Sequence, residues 1–526
     1  MFNKLLHKKR NIFGVQIADW LLIVIGLAIF VTISLWTITK SSIWFDEAFG
    51  AYLTRFNFFD IAKYTATDVH PPLYYWLLKL WGMCFGNTEL ALRSMSVLFG
   101  GITIVFGYLL TNKLFNKNVA KVSLIFMVIS PMFIRYSQEM RMYTLVAAIA
   151  MIATYVLVIA MESKKKLHWT IYGILIALGM WTHYFTAIIW LAHWIWRADV
   201  IRRVAAKGKF IKEFFSKQWL RAHIIAVSIF AFWLPFFAMQ LFTVQASGFW
   251  IPAVTPDTLL NFTTNVFYYL DVGSVNGWFA LGLMLIIIML SMLSIKIYKS
   301  QNKEQRQSYR LIMAVAFIPA ILLFILSLPP LRSVFVDRYL VPSTLFIAIY
   351  IGTTLALSLK FLQTKWIVIV TLVIMGFMLF GVSNVWYLGN YSKTSNASNN
   401  TRQIIKAIVA KSGDNQPIIA DSPWLFYEAI FYVSDKHPVF FIDANTQYLY
   451  GSLDMLKNND QFKIKDINKF TTDNQIVWYV GLPRGADFSA PYSNWRPLQE
   501  VFVNDSINNK PAYEAIQYEV INRYSN

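Results

Sequence analysis

Cysteine and charged residues are scarce in this chain of 526 residues. The single cysteine, Cys84, excludes an internal disulfide framework and a cysteine metal site. Charged residues make up only 14% of the sequence, whereas hydrophobic residues make up 57% and the mean hydropathy is +0.47. One soluble domain of this length does not have such a composition. We therefore expect a polytopic α-helical membrane protein.

Long apolar runs recur along residues 1–385, and each is close to the roughly twenty residues that a bilayer requires. We interpret this part of the chain as a transmembrane domain with about eleven helices. The predicted helices lie at about 17–38, 88–110, 119–137, 142–161, 168–182, 184–197, 222–242, 277–297, 311–328, 339–358 and 364–385.

The charge distribution predicts the orientation. The chain has 47 Lys and Arg against 28 Asp and Glu, a formal net charge of +19. With a cytoplasmic N-terminus, most Lys and Arg of the short loops fall on the cytoplasmic side, as the positive-inside rule requires. An odd number of spans then makes the C-terminus extracytoplasmic. Anionic lipid is a sufficient partner for this charge, so nucleic-acid binding is not needed to explain it.

Polar residues replace the apolar runs near Ser383, and residues 386–526 are predicted to form a small extracytoplasmic α/β domain. The expected elements are helices at 402–411 and 424–433, and strands at 417–420, 439–442, 475–480 and 518–521. No glycine-rich phosphate loop is present in it. We interpret this domain as a cap that shapes or shields the external face.

Two acidic residues, Asp46 and Glu47, follow the first apolar run. An ionisable pair at a membrane edge indicates function, unless it only stabilises the N-terminus of a helix through the helix dipole. Aromatic residues at helical spacing predict a helix over 45–56 that lies in the interface. The side of this helix expected to face lipid carries Phe45, Phe49, Tyr52 and Phe56.

The segment Asp68-Val-His-Pro-Pro-Leu73 places His70 at the start of a helix, because the residue before a proline avoids the α region and proline suits the first helical turn. The free backbone N–H groups at such a terminus suit an anion, and phosphate in particular. The alternative is a turn histidine whose ring is already hydrogen-bonded. Asp68 is a second acidic, orienting candidate on this segment.

A turn between two apolar runs carries Arg135, Glu139 and Arg141 on the predicted external side, against the positive-inside rule. Two guanidinium groups match a phosphate, and Glu139 would orient an arginine or share the work of Asp46. A salt bridge within the turn is the alternative. For His183 the alternative is a structural hydrogen bond. Further candidates for binding the anion or the substrate on this side are Arg93, Tyr143, His183, Tyr184 and Arg338.

Taken in order, these motifs resemble those of the protein O-mannosyltransferase and aminoarabinose-transferase group of membrane glycosyltransferases, which have the C-type fold. The resemblance covers roughly the first 200 residues. The protein O-mannosyltransferases have the His-Pro-Pro-Leu sequence found here, whereas aminoarabinose transferases carry Lys at the position of His70. The motifs are Asp46-Glu47, Asp68-Val-His-Pro-Pro-Leu73, Arg93-Ser94 and Gln138-Glu-Met-Arg-Met-Tyr143.

The resemblance implies a catalytic base at Asp46 with Glu47 beside it, and a donor sugar carried on a polyprenyl phosphate. It implies that the sugar passes, with inversion, to an extracytoplasmic envelope acceptor that is a glycan, a lipid or a protein. The absence of a nucleotide fold agrees with such a donor. The residues expected to hold the donor phosphate are His70, Arg93, Arg135 and Arg141.

The sequence also allows a metal cofactor and two functions other than sugar transfer. A divalent cation between Asp46, Glu139 and the phosphate is a further possibility. A transporter or flippase of lipid-linked sugars would use the same polar cluster to bind cargo without reaction. The position of the charges disfavours it, because transporter sites usually lie near the bilayer midplane on broken helices. A catalytically inactive scaffold is the third interpretation.

Overall fold

The computed structural model describes residues 11–12, 15–247, 251–269, 277–388, 400–433, 436–442, 454–457, 460–483, 491–505 and 509–521. Up to residue 388 these residues are almost entirely helical, and a mixed sheet with flanking helices follows from residue 400.

The helices that precede residue 388 are α1 (Ile17–Leu35), α2 (Phe45–Leu53), α3 (Phe58–Ala66), α4 (Leu73–Phe85), α5 (Glu89–Leu114), α6 (Lys117–Val128), α7 (Pro131–Ser137), α8 (Tyr143–Ser163), α9 (Lys166–Thr182), α10 (Thr186–Val204), α11 (Phe210–Phe214), α12 (Lys217–Phe230), α13 (Leu234–Ser247), α14 (Thr258–Phe267), α15 (Gly277–Ser300), α16 (Lys303–Ile325), α17 (Val341–Ser358) and α18 (Thr364–Leu388). A short 3-10 helix, Asp337–Leu340, leads into α17.

The later helices are α19 (Thr401–Lys411), α20 (Pro423–Tyr432), α21 (Asp454–Lys457) and α22 (Ile467–Asp473), and Asp460–Phe462 is a second 3-10 turn. The strands are β1 (Asn11–Ile12), β2 (Val15–Gln16), β3 (Ile418–Ala420), β4 (Val439–Ile442), β5 (Lys463–Ile464), β6 (Ile476–Gly481), β7 (Trp495–Asn504) and β8 (Pro511–Val520).

Each predicted apolar run coincides with one helix or with a pair of consecutive helices. Among the described residues, six helices are long and apolar enough to cross a bilayer, or eight if each bent pair forms one span. The predicted number of eleven is therefore not confirmed, because α1, α9 and α10 are short or carry charge. The chain is nevertheless a multi-pass membrane protein.

Two predicted spans are broken. Helices α6 and α7 meet at 59°, and α12 and α13 meet at 72°. Pro131 begins α7 and explains the first break, since proline lacks the N–H that a continuous helix needs and is favoured at a helix start. Close packing elsewhere uses glycine: a Cβ at Gly352 would lie 2.4 Å from Ser123 Cα, so α17 and α6 touch through their backbones.

The C-terminal sheet has six strands in the order β5-β4-β3-β6-β8-β7. The pairs among β5, β4, β3 and β6 are parallel, and β8 pairs antiparallel with both β6 and β7. Helix α20 connects the parallel neighbours β3 and β4, as a βα crossover requires. The helices and strands expected between residues 402 and 480 are present within one or two residues. The sequence missed β5 and β7, and β8 begins well before the expected residue 518.

The expectation that the aromatic side of α2 faces lipid is wrong. Phe49 and Tyr52 are buried, and their rings pack against Tyr427 of α20 with centroid distances of 6.1 and 5.1 Å. One apolar core therefore runs from the membrane helices through α2 into the C-terminal region. The residues that cover this side of α2 lie more than 370 positions later in the chain, so a local sequence pattern does not predict their contact with it. Helix α2 also ends at Leu53, before the expected residue 56.

Candidate active site

Asp46 lies in the first turn of α2, between two arginines from different parts of the chain. Its Oδ2 is 3.6 Å from Nη2 of Arg141 and 3.3 Å from Nη1 of Arg338. Its side chain is 20% exposed, whereas both guanidinium groups are more deeply buried. Burial alone would raise the pKa of Asp46, but Arg141, Arg338 and His70 outweigh it and lower that pKa below the usual value. Asp46 is thus an ionised carboxylate at neutral pH.

Arg141 and Arg338 reach this point from elements that are distant in sequence. Arg141 belongs to the turn 138–142, and its Nη1 donates to the backbone oxygen of Asp46 and to Tyr75 Oη. Arg338 comes from the 3-10 helix before α17, and its guanidinium lies over the Trp44 ring at 5.6 Å. The two ion pairs with Asp46 are longer than strong hydrogen bonds. An entering anion could therefore compete for both guanidinium groups.

Glu47 and Arg93 are joined in a fully buried pair. Arg93 Nε and Nη2 donate to the two carboxylate oxygens of Glu47 at 2.8 and 2.6 Å. Its remaining donors bond the backbone oxygens of Ile38, Ser41 and Ser42. This network occupies all five N–H groups of the guanidinium. The structure thus turns Arg93, expected to bind phosphate, and Glu47, expected beside the base, toward each other.

The Glu47 carboxylate also fixes the turn that carries Arg141. The backbone N–H of Met140 donates to Glu47 Oε1 at 2.8 Å. Glu47 therefore connects α2, α5 and the turn 138–142 at one buried point. Such a connection sets the position of Asp46, the preceding residue of α2.

Arg135 and Glu139 also form a pair, with 2.8 Å between Nη1 and Oε2, and both are buried. Burial raises the pKa of Glu139, although Arg135 opposes that rise. This is the salt bridge within the turn, the alternative to phosphate binding that the sequence allowed. Arg135 is consequently less available to a phosphate than Arg141.

His70 lies before α4, which begins at Leu73, and its Nδ1 is 3.6 Å from Oδ2 of Asp68. Burial lowers the pKa of His70 below its ordinary value, although Asp68 acts in the opposite direction. The His70 ring is 5.3 Å from the His183 ring between centroids. The structure thus brings His70, Asp68 and His183 together near Asp46.

His183 has a fixed hydrogen-bonding pattern. The backbone N–H of Phe185 donates to its Nδ1 at 3.2 Å, which assigns the proton of the neutral ring to Nε2. Burial lowers the pKa of His183 well below its usual value, and His70 and the two arginines add to this effect. His183 Nε2 is buried and has no hydrogen-bond partner among the described residues.

A small cavity, with room for about one water molecule, lies beside His183 and Arg338. The rings of Phe185 and Tyr339 stack along it, 4.6 Å apart at 21°. The sequence had singled out Tyr143, His183 and Arg338 but not the apolar members, since such residues are common throughout a membrane protein. The lining residues are Tyr143, Val146, His183, Phe185, Thr186, Arg338, Tyr339 and Pro342.

Tyr184 does not line this cavity. Its hydroxyl donates to Gln240 Oε1 and accepts from Trp233 Nε1. Gln240 Nε2 in turn donates to the backbone oxygen of Thr65. Tyr184 therefore connects α13 to the segment that leads to Asp68 and His70.

The side chains around Asp46 and Glu139 do not fit the divalent cation that the sequence allowed between them. In the described part of the chain, no group of three or more His, Cys, Asp or Glu residues converges as a metal site. Asp46 and Glu139, the expected ligands, are both paired with arginine. Positive groups next to both carboxylates oppose a second cation there.

Part of the chain matches a protein-family model. Residues 69–236 match the model of the dolichyl-phosphate-mannose-protein mannosyltransferase family. The matched segment contains His70, Arg93, Arg135 and Arg141. A search of curated protein sequences finds no match.

Several solved structures are similar. ArnT from Cupriavidus metallidurans, in the apo state and bound to undecaprenyl phosphate, gives a TM-score of 0.62 at 13% identity over 95% of this chain and 98% of ArnT. The apo oligosaccharyltransferase from Archaeoglobus fulgidus gives 0.51 at 14% identity, over 80% of this chain and 64% of the other. The mycobacterial arabinofuranosyltransferase AftD gives 0.50 at 10% identity, over 98% of this chain and 41% of AftD. At these identities the likeness concerns the fold.

Proposed function

We propose that this chain, a multi-pass membrane glycosyltransferase of the C-type fold, transfers a sugar from a polyprenyl-phosphate donor to an extracytoplasmic acceptor, with Asp46 as general base. The observation that carries the proposal is the partly exposed Asp46 carboxylate held loosely between Arg141 and Arg338. A base and two anion-binding groups at one point are what a transfer from a phosphate-linked sugar requires. The undecaprenyl phosphate bound to ArnT, a protein of similar fold, supports this class of donor.

The reaction is a single displacement. Asp46 accepts the proton of an acceptor hydroxyl while the hydroxyl oxygen attacks the anomeric carbon. The bond between that carbon and the phosphate oxygen breaks, and its electron pair leaves with the polyprenyl phosphate. Attack opposite to the leaving group inverts the anomeric centre. Arg141 and Arg338 stabilise the negative charge that develops on the departing phosphate.

Donor binding would also strengthen the base. In the free protein the two arginines lower the pKa of Asp46, which makes it a weak proton acceptor. A phosphate that draws the guanidinium groups to itself reduces their effect on the carboxylate. The pKa of Asp46 would then rise toward the range in which general-base catalysis is efficient.

The remaining polar residues divide into two groups. His70, beside Asp68 and near Asp46, is positioned to contact the donor phosphate or the reacting groups. Glu47 and Arg93 position α2, and Glu139 with Arg135 shapes the turn that bears Arg141. This assignment replaces the direct roles that the sequence suggested for Glu47, Arg93 and Arg135.

The acceptor is a hydroxyl of an envelope glycan, lipid or protein on the extracytoplasmic side. We place the N-terminus in the cytoplasm and residues 386–526 outside, as an extracytoplasmic domain that follows a transmembrane domain of residues 1–385. The distribution of Lys and Arg supports this orientation. The site and the C-terminal region both contact the same helix, α2, and this shared contact supports a location of both on one side of the membrane.

A panel of polyprenyl-phosphate sugars, incubated with purified protein and envelope extracts, tests the proposal by mass spectrometry. We expect one donor to lose its sugar and an acceptor to gain the matching mass. Asp46→Asn should abolish the gain, and Asp60→Asn, an acid in the first turn of α3, should leave it unchanged. Labelled lipid that crosses vesicle bilayers without any sugar transfer would instead establish the flippase.

A further inference from the structure

Arg338 reaches Asp46 from a short segment that is held by a different helix. The segment is the 3-10 helix Asp337–Leu340, whose first residue directly precedes Arg338. Successive side chains of a 3-10 helix project about 120° apart, because the helix has three residues per turn. Asp337 and Arg338 therefore point in different directions. Nη1 of Arg338 lies 3.3 Å from Oδ2 of Asp46, whereas the Asp337 carboxylate contacts helix α14.

Asn265 of α14 makes this contact. Its Nδ2 donates to Oδ2 of Asp337 at 2.6 Å, and Asn265 itself is buried. A hydrogen bond with a carboxylate as acceptor is stronger than one between neutral groups. Three residues earlier on α14, the Phe262 ring packs edge-on against Phe335, with 6.4 Å between the ring centroids. Two contacts from one side of α14 thus hold the segment that carries Arg338.

Helix α14 has supports of its own. Nδ2 of Asn384 in α18 donates to the backbone oxygen of Tyr268, the residue that follows α14, at 3.0 Å. The Tyr268 ring also stacks on Phe380 of α18, with 5.0 Å between the ring centroids. Helix α14 packs against α7 as well. The hydrogen bond from Asn265 to Asp337 therefore joins the 3-10 helix to a part of the fold that is fixed by several contacts.

The position of Arg338 matters because its guanidinium has two proposed partners. It contacts the Asp46 carboxylate in the free protein, and it would contact the donor phosphate in the complex. The attraction between opposite charges falls with their separation, so a displaced backbone changes both interactions. An arginine side chain is long and has many rotamers, and a fixed backbone restricts the positions that its guanidinium can reach.

We propose that Asn265 is a positioning residue, which holds Arg338 within reach of both Asp46 and the donor phosphate through its hydrogen bond to Asp337. The inference rests on the proposed function and adds to it a residue of α14 that acts through Arg338.

The test measures two properties of the purified full-length chain: the affinity for undecaprenyl phosphate, and the acid limb of kcat/KM for sugar transfer. Asn265→Leu removes the donor amide without a change of charge. We expect the affinity to fall about two- to tenfold, the equivalent of one hydrogen bond. The acid limb should move to higher pH, because a displaced Arg338 lowers the pKa of Asp46 less than in wild type.

A second background separates positioning from a purely structural effect. In Arg338→Gln, the additional change Asn265→Leu should alter neither the affinity nor the acid limb, because the arginine that Asn265 positions is absent. Asn265→Ala removes the same amide with a smaller side chain and should reproduce the effects of Asn265→Leu. The matched control Asn261→Leu, at an exposed position four residues earlier on α14, should leave both properties as in wild type.

The outcomes distinguish this inference from the proposed function. Equal effects of Asn265→Leu in the wild-type and Arg338→Gln backgrounds would overturn the inference, since Asn265 would then act independently of Arg338. An acid limb that stays in place in both Asn265 variants would overturn it as well. In either case wild type would still bind undecaprenyl phosphate and transfer sugar. If wild type neither binds nor uses any polyprenyl-phosphate donor, the proposed function fails and this inference fails with it.

Discussion

Arg93, Arg135, Arg141 and Arg338 differ in what already neutralises them. Arg93 and Arg135 each have a glutamate within 2.8 Å. Arg141 and Arg338 instead share one carboxylate, Asp46, at longer distances. Only this second pair can exchange a protein carboxylate for a substrate phosphate without breaking a tight buried pair. Residue types and spacing predicted that arginines would gather here, but the choice of partner depends on tertiary structure.

The pH dependence of transfer tests whether Arg338 lowers the pKa of Asp46. Arg338→Gln removes a positive charge that lowers the pKa of Asp46, so this pKa should rise. The acid limb of kcat/KM, which follows the free enzyme, should therefore move to higher pH than in wild type. Residual transfer measured across pH would reveal the shift. An acid limb unchanged in the variant would contradict the electrostatic coupling of these two residues.

Replacement of Glu47 should lower stability more than replacement of its neighbour Asp46. Glu47→Gln leaves Arg93 as a buried cation without its counter-ion, a change that typically costs about 3 to 5 kcal/mol. We expect a marked loss in the free energy of unfolding, measured by denaturation in detergent. Asp46→Asn, which lies at a partly exposed position, should change stability much less. Equal stabilities of the two variants would exclude the positioning role of Glu47.

Helix α2 is the element on which the site depends, because it is held from two sides. Arg93 binds the backbone of Ile38, Ser41 and Ser42 from the membrane side. From the C-terminal side, Tyr432 Oη accepts from the Ile43 N–H and donates to Glu89, which also pairs with Arg402. The sequence indicated α2 and its acids, but not these contacts, and those made by Tyr432 and Arg402 join residues more than 300 positions apart.

Arg402→Gln tests whether the C-terminal region positions α2. The change removes the ion pair with Glu89 and weakens the hold on the segment before Asp46. We expect turnover to fall while the KM for the donor changes little, because Arg141 and Arg338, the proposed phosphate-binding residues, are not changed. Arg496→Gln, which breaks an exposed pair with Glu519 in the same region, is the matched control and should have no effect. Equal turnover of the two variants would show that the C-terminal region acts only as a cover.

At the scale of the whole molecule, composition predicted the fold class because apolar runs are a local property of the chain. The predicted number of eleven spans is not confirmed, because bent pairs such as α12 and α13 and the charged helix α10 do not meet a criterion of length and composition. The boundary at 385 stays a prediction. One continuous core joins the two parts, so their separation in sequence is not a separation in packing.

Glu428 makes the stability of the protein depend on pH. It lies in α20, where burial raises its pKa to about 8 despite a hydrogen bond from Thr401. In the unfolded chain its pKa would be near the ordinary glutamate value of 4.5. Between these values the unfolded state has lost the proton that the folded state retains. Stability should therefore fall as pH rises through this window, by about 5 kcal/mol in total.

Glu428→Gln is neutral at every pH and should remove this dependence. Thermal unfolding between pH 5 and pH 8 should show a transition temperature that falls with pH in wild type more steeply than in the variant. Above pH 8 the variant should be the more stable protein. Parallel curves for the two proteins would contradict the neutral, buried state of Glu428.

We propose that Asp46 acts in the chemical step and not in donor binding. The decisive measurement is single-turnover transfer from prebound undecaprenyl-phosphate sugar, with donor affinity measured on the same preparations of wild type and Asp46→Asn. We expect comparable donor binding and a transfer rate about a hundred- to ten-thousand-fold lower in the variant. An unchanged transfer rate in Asp46→Asn would show that Asp46 is not the general base.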